Sequence, residues 1–228
     1  MSLLPDWSND VLRYMLEQGL VNTLKLAAIA LVGSVVVGVT LGTLLTIRFL
    51  PLRAVIRAYI EVWRGLPILV TIFIIYFALP AVSLSLRFDA LTGAAIGLIL
   101  WGSAQVAEAT RGAVQSIPRE QHEAASALGF GWVGRHAFVI MPQALRRLLP
   151  PLVSLLVNII QNTTIAQVIG VNELLESGER SIERLNAPPP IGLGEIHSFE
   201  ILATAMVIFF CISFPLTRLA AYLEKRLT

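Results

Sequence analysis

The chain has 228 residues, of which 56% are hydrophobic and only 14% are charged. Soluble domains average about 25% charged residues, so this composition excludes an ordinary soluble globule. Charge is missing altogether from five long stretches, at residues 26–47, 66–86, 90–107, 148–172 and 201–217. A helix needs about 20 residues to cross hydrocarbon, whereas the strands of a membrane β-barrel are short and alternating. The pattern therefore favours membrane-spanning helices over a barrel.

We predict an all-α integral membrane protein that forms a single transmembrane domain over residues 1–228, with about five spans. The predicted spans are approximately 20–47, 66–86, 90–108, 148–172 and 199–217, and residues 109–147 form the longest connecting loop. The formal net charge of +2 and the lack of a basic run give no reason to expect a nucleic-acid partner. The only cysteine, Cys211, cannot form an intrachain disulfide and suggests no metal site.

The distribution of basic residues predicts the orientation of the chain. Lys and Arg concentrate in cytoplasmic loops. Segments 48–65 and 108–147, together with the C-terminal tail, hold 12 of the 17 basic residues, and the alternate segments hold 5. This bias places the N-terminus outside and the C-terminus in the cytoplasm.

Small residues recur at every fourth position of the first predicted span, at Ala30, Ser34, Gly38 and Gly42. This spacing lets two helix backbones approach closely. The sequence predicts a packing face there but does not identify the partner helix.

Prolines predict where several helices begin. Pro67 fits the first turn of the second span, where its missing N–H costs nothing. Pro150 and Pro151 suggest that the fourth span starts near them. Pro142 is expected to begin or limit the helix that follows the cytoplasmic loop.

Polar side chains interrupt the fourth span near the middle of the bilayer. Such residues usually face other helices or a water-filled cavity. The helix is therefore either polar on both sides or locally interrupted, and the cluster forms either a solute pathway or interhelical hydrogen bonds alone. The candidate pathway residues are Asn158, Gln161, Asn162, Thr164 and Gln167.

The segment 173–200 contains six glutamates and two arginines. Its first half, through Leu185, is compatible with a short surface helix, and Pro188–Pro190 then break any helix. Two interpretations remain open: a solvated external loop, or a docking surface for an external partner.

The cytoplasmic loop carries the most specific pattern in the chain. Residues 123–142 read E-A-A-x3-G-x9-V-x-M-P. The alanines favour a short helix, Gly129 can end it with a positive φ, and the small side chains let a partner approach its backbone. An amphipathic helix lying on the membrane is the alternative interpretation.

This pattern resembles the EAA loop of ATP-binding-cassette (ABC) importer permeases, in which Ile and Leu usually stand at the positions of Val139 and Met141. The resemblance implies the type I importer permease fold, with the loop helix seated in a groove of a partner ATPase. Its implied coupling residues are Glu123, Ala124, Ala125, Gly129 and Pro142. Glu123 would bond groups of the ATPase, and Gly129 would set the turn.

Further segments resemble the polar amino-acid branch of that family. These are Arg64-Gly65-Leu66-Pro67, Glu108-x-x-Arg111-Gly112, Gln161-Asn162-Thr163-Thr164 and Val168-Ile169-Gly170-Val171-x-Glu173-Leu174-Leu175. The branch often has a charged pair where Gln161 and Asn162 stand, so the charge of the substrate is open. Arg64, Glu108 and Arg111 are either gating residues or ion pairs that anchor the inner face.

The resemblance implies a permease subunit of a bacterial inner-membrane importer for polar amino acids. Its implied partners are two ABC ATPase subunits, a second permease subunit (identical or paralogous) and an external solute-binding protein. The chain has no G-x-x-x-x-G-K-[ST] loop, so it is expected to be non-catalytic and to bind no cofactor, with ATP and Mg²⁺ held by the partner ATPase. A stand-alone channel or secondary carrier and an intramembrane enzyme are the competing hypotheses.

Overall fold

The computed structural model describes residues 6–47, 49–188, 194 and 196–227. Over this part of the chain the backbone is helical, with short connections. Besides the short 3₁₀ turn Leu84–Leu86, the described residues form eight helical segments: α1 Trp7–Leu44, α2 Leu50–Gly65, α3 Ile68–Val82, α4 Ala90–Gln115, α5 Arg119–Ala127, α6 Trp132–Ile169, α7 Leu174–Asn186 and α8 Ser198–Leu227.

Four of these helices, α1, α4, α6 and α8, are long and apolar enough to cross a membrane. The helices α2 and α3 pass the same test only as a pair, and they are bent by 108° at the Leu66–Pro67 break. The predicted all-α class with about five spans is thus confirmed. The spans differ in their ends: α1 begins at Trp7 rather than residue 20, and α4 continues to Gln115 rather than residue 108.

The small-residue face of α1 packs on α4, which is the partner that the sequence left open. A Cβ added at Gly38 would overlap Val106 and the Ser103 carbonyl, and one added at Gly42 would overlap the Ala107 carbonyl. Only a glycine-lined groove allows the backbones to come this close. Helices α2, α3 and α6 also pack on α4, which makes it the central helix for these spans, whereas α8 packs on α6.

Pro67 lies at the start of a helix, whereas Pro150 and Pro151 do not. Pro67 directly precedes Ile68, the first residue of α3, as expected. The prediction for Pro150 and Pro151 was wrong, because both lie inside the continuous helix α6, which begins at Trp132. Helix-breaking prolines are tolerated in membrane helices where neighbouring helices and local adjustments satisfy the freed carbonyl groups.

Two apolar clusters position the functional regions. The larger one lies between α1, α4 and α6 and contains Leu26, Leu98 and Ile159, each fully buried. The smaller one packs α7 against the N-terminal part of α1 and the start of α8, through Met15, Leu174 and Ile201 among others. The segment 173–186 is therefore a packed helix rather than a wholly solvated loop.

Candidate functional site

The helix α5 ends in a turn that depends on one glycine. Gly129 has φ +83°, its N–H donates to the Ser126 carbonyl (3.0 Å), and the Phe130 N–H donates to the Ala125 carbonyl (3.1 Å). These two bonds form a Schellman motif, which uses a left-handed residue to satisfy the last carbonyls of a helix. The positive φ expected at Gly129 is therefore present.

One side of α5 is open to solvent, and apolar side chains surround it. Glu123 and Ala124 are exposed, whereas Ala125 is 2% exposed and faces inward. Nearby, Leu128, Val133 and Phe138 are 79%, 71% and 74% exposed. Large apolar groups gathered in this way around a small-faced helix are typical of a contact surface for another protein.

Side-chain bonds fix α5 to the start of α6. The Arg135 Nη1 donates to Ser126 Oγ (2.8 Å), and Arg147 Nη1 donates to the Ser116 carbonyl (2.6 Å), which lies in the turn before α5. Both ends of the loop are thus tied to α6.

Pro142 lies in the first turn of the α-helical part of α6 that begins at Met141, which is one of the two options that the sequence offered. It lies ten residues inside α6, next to the π-helical segment His136–Ile140, whose last bond runs from the Met141 N–H to the His136 carbonyl. Proline has no N–H for the carbonyl four residues before it. The wider π-helical turn occurs where that regular bond is missing.

The polar cluster interrupts α6, as one of the two sequence interpretations expected. The α-helical geometry ends at Asn162 and continues as the 3₁₀ segment Thr163–Ile169, which Gly170 closes with φ +89°. Asn162 Nδ2 donates to the Asn158 carbonyl (2.7 Å), and Thr164 Oγ1 donates to the Gln161 carbonyl (2.9 Å). Part of the polar cluster therefore forms hydrogen bonds with backbone carbonyls of its own helix.

A cleft of about 330 Å³ opens between α4 and α6, and Asn158 is the only predicted pathway residue in its wall. Gln161, Asn162, Thr164 and Gln167 lie further along α6, outside this wall. The polar wall groups that sequence reasoning missed are Trp101, Gln105 and Ser154. They lie in two spans far apart in sequence, and no local pattern joins them.

The three predicted inner-face residues come together. Arg64, Glu108 and Arg111 line one cavity of about 270 Å³ with Arg57 and Glu61. Arg111 bonds both carboxylate oxygens of Glu108, including Nε to Oε2 at 3.0 Å, and Arg64 Nε donates to Gln105 Oε1 (3.2 Å). This arrangement is an ion-pair cluster that also touches the cleft, through Gln105.

Helix α7 is anchored by a buried glutamate. Glu173 is fully buried, and its carboxylate accepts bonds from the Leu175 and Glu176 N–H groups (3.0 and 2.8 Å). Burial raises the pKa of this carboxyl, and the two N–H groups oppose the rise. The exposed face of α7 carries Glu179 and Glu183 with Arg180 and Arg184.

Comparison with known proteins agrees with this architecture. The family described as "Binding-protein-dependent transport system inner membrane component" matches residues 21–228. The glutamine transport system permease protein GlnP of Escherichia coli K12 is 35% identical over 93% of each chain. A probable glutamine ABC transporter permease protein GlnP of Bacillus subtilis is 32% identical over the full length of both.

Solved structures show the same fold. A crystal structure of an amino acid ABC transporter with histidines matches with a TM-score of 0.81 and 27% identity, covering 98% of this chain and 100% of that chain. The inward-facing MetNI methionine ABC transporter matches with a TM-score of 0.74 at 17% identity, which supports the fold alone. These relatives favour an importer permease over a stand-alone channel or secondary carrier. The chain belongs to the family of binding-protein-dependent transport system inner membrane components, and it is a multi-pass permease subunit of an ABC importer in the bacterial inner membrane.

Proposed function

We propose that this permease carries neutral polar amino acids, with glutamine as the first candidate. The wall of the α4–α6 cleft supports this choice, because its polar groups are the amides of Gln105 and Asn158, the Ser154 hydroxyl and the Trp101 indole, with no charged residue. A charged solute side chain would lose its hydration there without gaining a counter-charge. Relatives described as glutamine permeases point to the same substrate.

The solute route begins at the polar cluster of α6 and follows this cleft. Amide groups both donate and accept hydrogen bonds, so they can replace the water around an α-amino acid or a carboxamide. The 3₁₀ segment Thr163–Ile169 supplies further polar groups in the same span. A second permease subunit, identical or paralogous, closes the open side of the route.

Transport is driven from the α5 surface. Two ABC ATPase subunits bind ATP and Mg²⁺, and each seats the α5 helix of one permease subunit in a groove. The exposed Glu123 and Ala124, with Leu128 and Phe138 beside them, supply the polar and apolar contacts. The permease chain itself binds no cofactor, and it moves as a rigid unit because the loop is bonded to α6.

The orientation follows from charge. The α5 loop and the C-terminus lie in the cytoplasm, where basic loops concentrate, and α7 lies outside. An external solute-binding protein delivers the amino acid on that outer side. The exposed charged face of α7 is the surface proposed for its docking.

The observation that carries the substrate assignment is the uncharged polar wall of the cleft, and competition uptake tests it. The permease, its ATPase and the cognate binding protein are reconstituted, and uptake of labelled glutamine is measured against unlabelled glutamine, glutamate, arginine and leucine. Glutamine should compete most strongly. Stronger competition by glutamate or arginine would contradict a neutral substrate.

A further inference from the structure

A third cavity, distinct from the α4–α6 cleft and from the cavity that Arg64 and Glu108 line, lies where the α5 loop meets the ends of other helices. Its volume is about 330 Å³. The wall is formed by Thr46 after α1, Arg53 of α2, Gln115 of α4, His122 of α5, and Trp132, Arg135 and His136 of α6. Four helical elements and the turn after α1 therefore converge on one small space.

The wall of this cavity is basic and lacks a counter-charge. Two arginines and two histidines line it, and neither aspartate nor glutamate does. Among the residues that the structure describes, the carboxylate ion pairs involve Arg13, Arg111 and Arg180, not Arg53 or Arg135. Burial first, and the Arg135 charge second, lower the pKa of His122, because both disfavour the charged imidazole.

Three N–H donors of the same wall are buried without an acceptor in the described part of the chain. They are Arg53 Nε, Trp132 Nε1 and Arg135 Nε. Buried donors are almost always bonded, because one left unpaired loses its hydration without replacing it. Three such donors around one cavity indicate that an acceptor group belongs inside it.

His136, another residue of the cavity wall, is held in place by contacts with Trp132 and Thr46. The His136 ring stacks on Trp132 with centroids 4.2 Å apart. Its Nδ1 lies 2.9 Å from the Trp132 carbonyl, and its Nε2 lies 3.1 Å from Thr46 Oγ1. His136 thus holds the indole in place and leaves the Trp132 N–H available.

We propose that this cavity binds a phosphate-bearing anion, with Arg53, Trp132 and Arg135 as the principal donors and His122 as an additional one. Arginine forks match the oxygen geometry of phosphate, and charge-assisted bonds to it are strong. The phosphate belongs either to the headgroup of an anionic lipid in the inner leaflet or to a free phosphate compound. In both cases the anion ties α5 to α2 and to the end of α1.

Binding is measured on the full-length permease chain purified alone in an uncharged detergent, so that no ATPase can bind the phosphate. Two titrations follow its thermal unfolding midpoint. Inorganic phosphate replaces chloride at constant ionic strength, which keeps general screening equal. Separately, phosphatidylglycerol replaces phosphatidylcholine in mixed micelles.

The variants are Arg53→Gln and Arg135→Gln, with Arg146→Gln as the matched control. Arg146 is exposed on α6 and outside the cavity wall, so its loss removes the same charge. Trp132→Phe serves as a second variant, because it removes the N–H donor while leaving an aromatic ring that can stack on His136. It keeps the test usable if an arginine variant folds poorly.

The proposal predicts a saturable rise of several degrees in the midpoint that Arg146→Gln retains and the cavity variants lose. A rise with inorganic phosphate identifies a free phosphate compound, and a rise with phosphatidylglycerol alone identifies the lipid. The proposal is overturned if neither titration raises the midpoint, or if the cavity variants respond as Arg146→Gln does.

Discussion

The α5 loop and the α4–α6 cleft differ in how local their geometry is. The loop takes its shape from neighbours in sequence, since the Gly129 and Phe130 N–H groups bond to carbonyls three and five positions before them. The cleft depends on Gln105 and Asn158, which lie in different helices and meet only after the spans have packed. Local geometry of this kind can be recognised from spacing, and the cleft wall cannot.

The largest effect is expected from loosening the α1–α4 contact, which supports both the α5 loop and the α4–α6 cleft. In Gly38→Ala the added methyl overlaps Val106 and the Ser103 carbonyl, and overpacking of this kind costs about 1–3 kcal/mol. The folded fraction and the thermal midpoint should fall. Gly112→Ala is the control, because a Cβ there has no atom of another residue within 4 Å. Equal behaviour of the two variants would show that the α1–α4 contact is not tight.

A change at the turn should affect the loop alone. Gly129→Ala places a side chain on a residue with φ +83°, at a cost of about 1–2 kcal/mol, which corresponds to a factor of roughly five to thirty. Uptake and ATP hydrolysis stimulated by the binding protein should fall by about that factor, while solute affinity is unchanged.

Gly131→Ala is the matched control for the turn. Gly131 lies two residues away, has φ −67°, and has free space for a Cβ. Uptake by Gly131→Ala should remain near the wild-type level. If Gly129→Ala and Gly131→Ala give equal uptake and equal stimulated ATP hydrolysis, the turn at Gly129 does not position α5 for its partner.

A change in the cleft should affect solute affinity alone. Asn158→Leu removes one hydrogen-bonding group from the cleft wall, and such a bond contributes about 0.5–1.5 kcal/mol. The KM for uptake should rise roughly two- to tenfold, and ATP hydrolysis at saturating solute should change little. Gln161→Leu sharpens the test, since Gln161 lies outside that wall. A larger KM change in Gln161→Leu would indicate that the solute passes the polar cluster of α6 rather than the cleft wall.

The smallest effect is a dependence of stability on pH through Glu173, at the start of α7. Burial raises the pKa of Glu173 above its ordinary value near 4.5, so the folded state favours the protonated carboxyl. The resulting stability is fully present below about 4.5 and is lost as pH rises through the raised value. The thermal midpoint should increase from pH 7.5 towards pH 5, and Glu173→Gln should reduce that increase. An unchanged slope in the variant would assign the pH dependence to other groups.

The sequence alone could predict the features that rest on local chemistry. Charge-free length marked most of the spans, the motif spacing located α5, and glycine at position 129 predicted its positive φ. Pro150 and Pro151 misled the prediction of where α6 begins, because bulges and neighbouring helices accommodate prolines in a long membrane helix. The cleft wall depends on contacts between distant segments.

The central claim is that α5 faces the cytoplasm and docks on the ATPase. Cys211 is the only cysteine, so a Cys211→Ser background allows single cysteines at Ala124 on α5 and at Glu183 on α7. Both positions are exposed. With a bifunctional cross-linker applied to the assembled importer, the cysteine at position 124 should cross-link to the ATPase, and the cysteine at position 183 should not. Cross-linking to the ATPase from position 183, and none from position 124, would contradict the account.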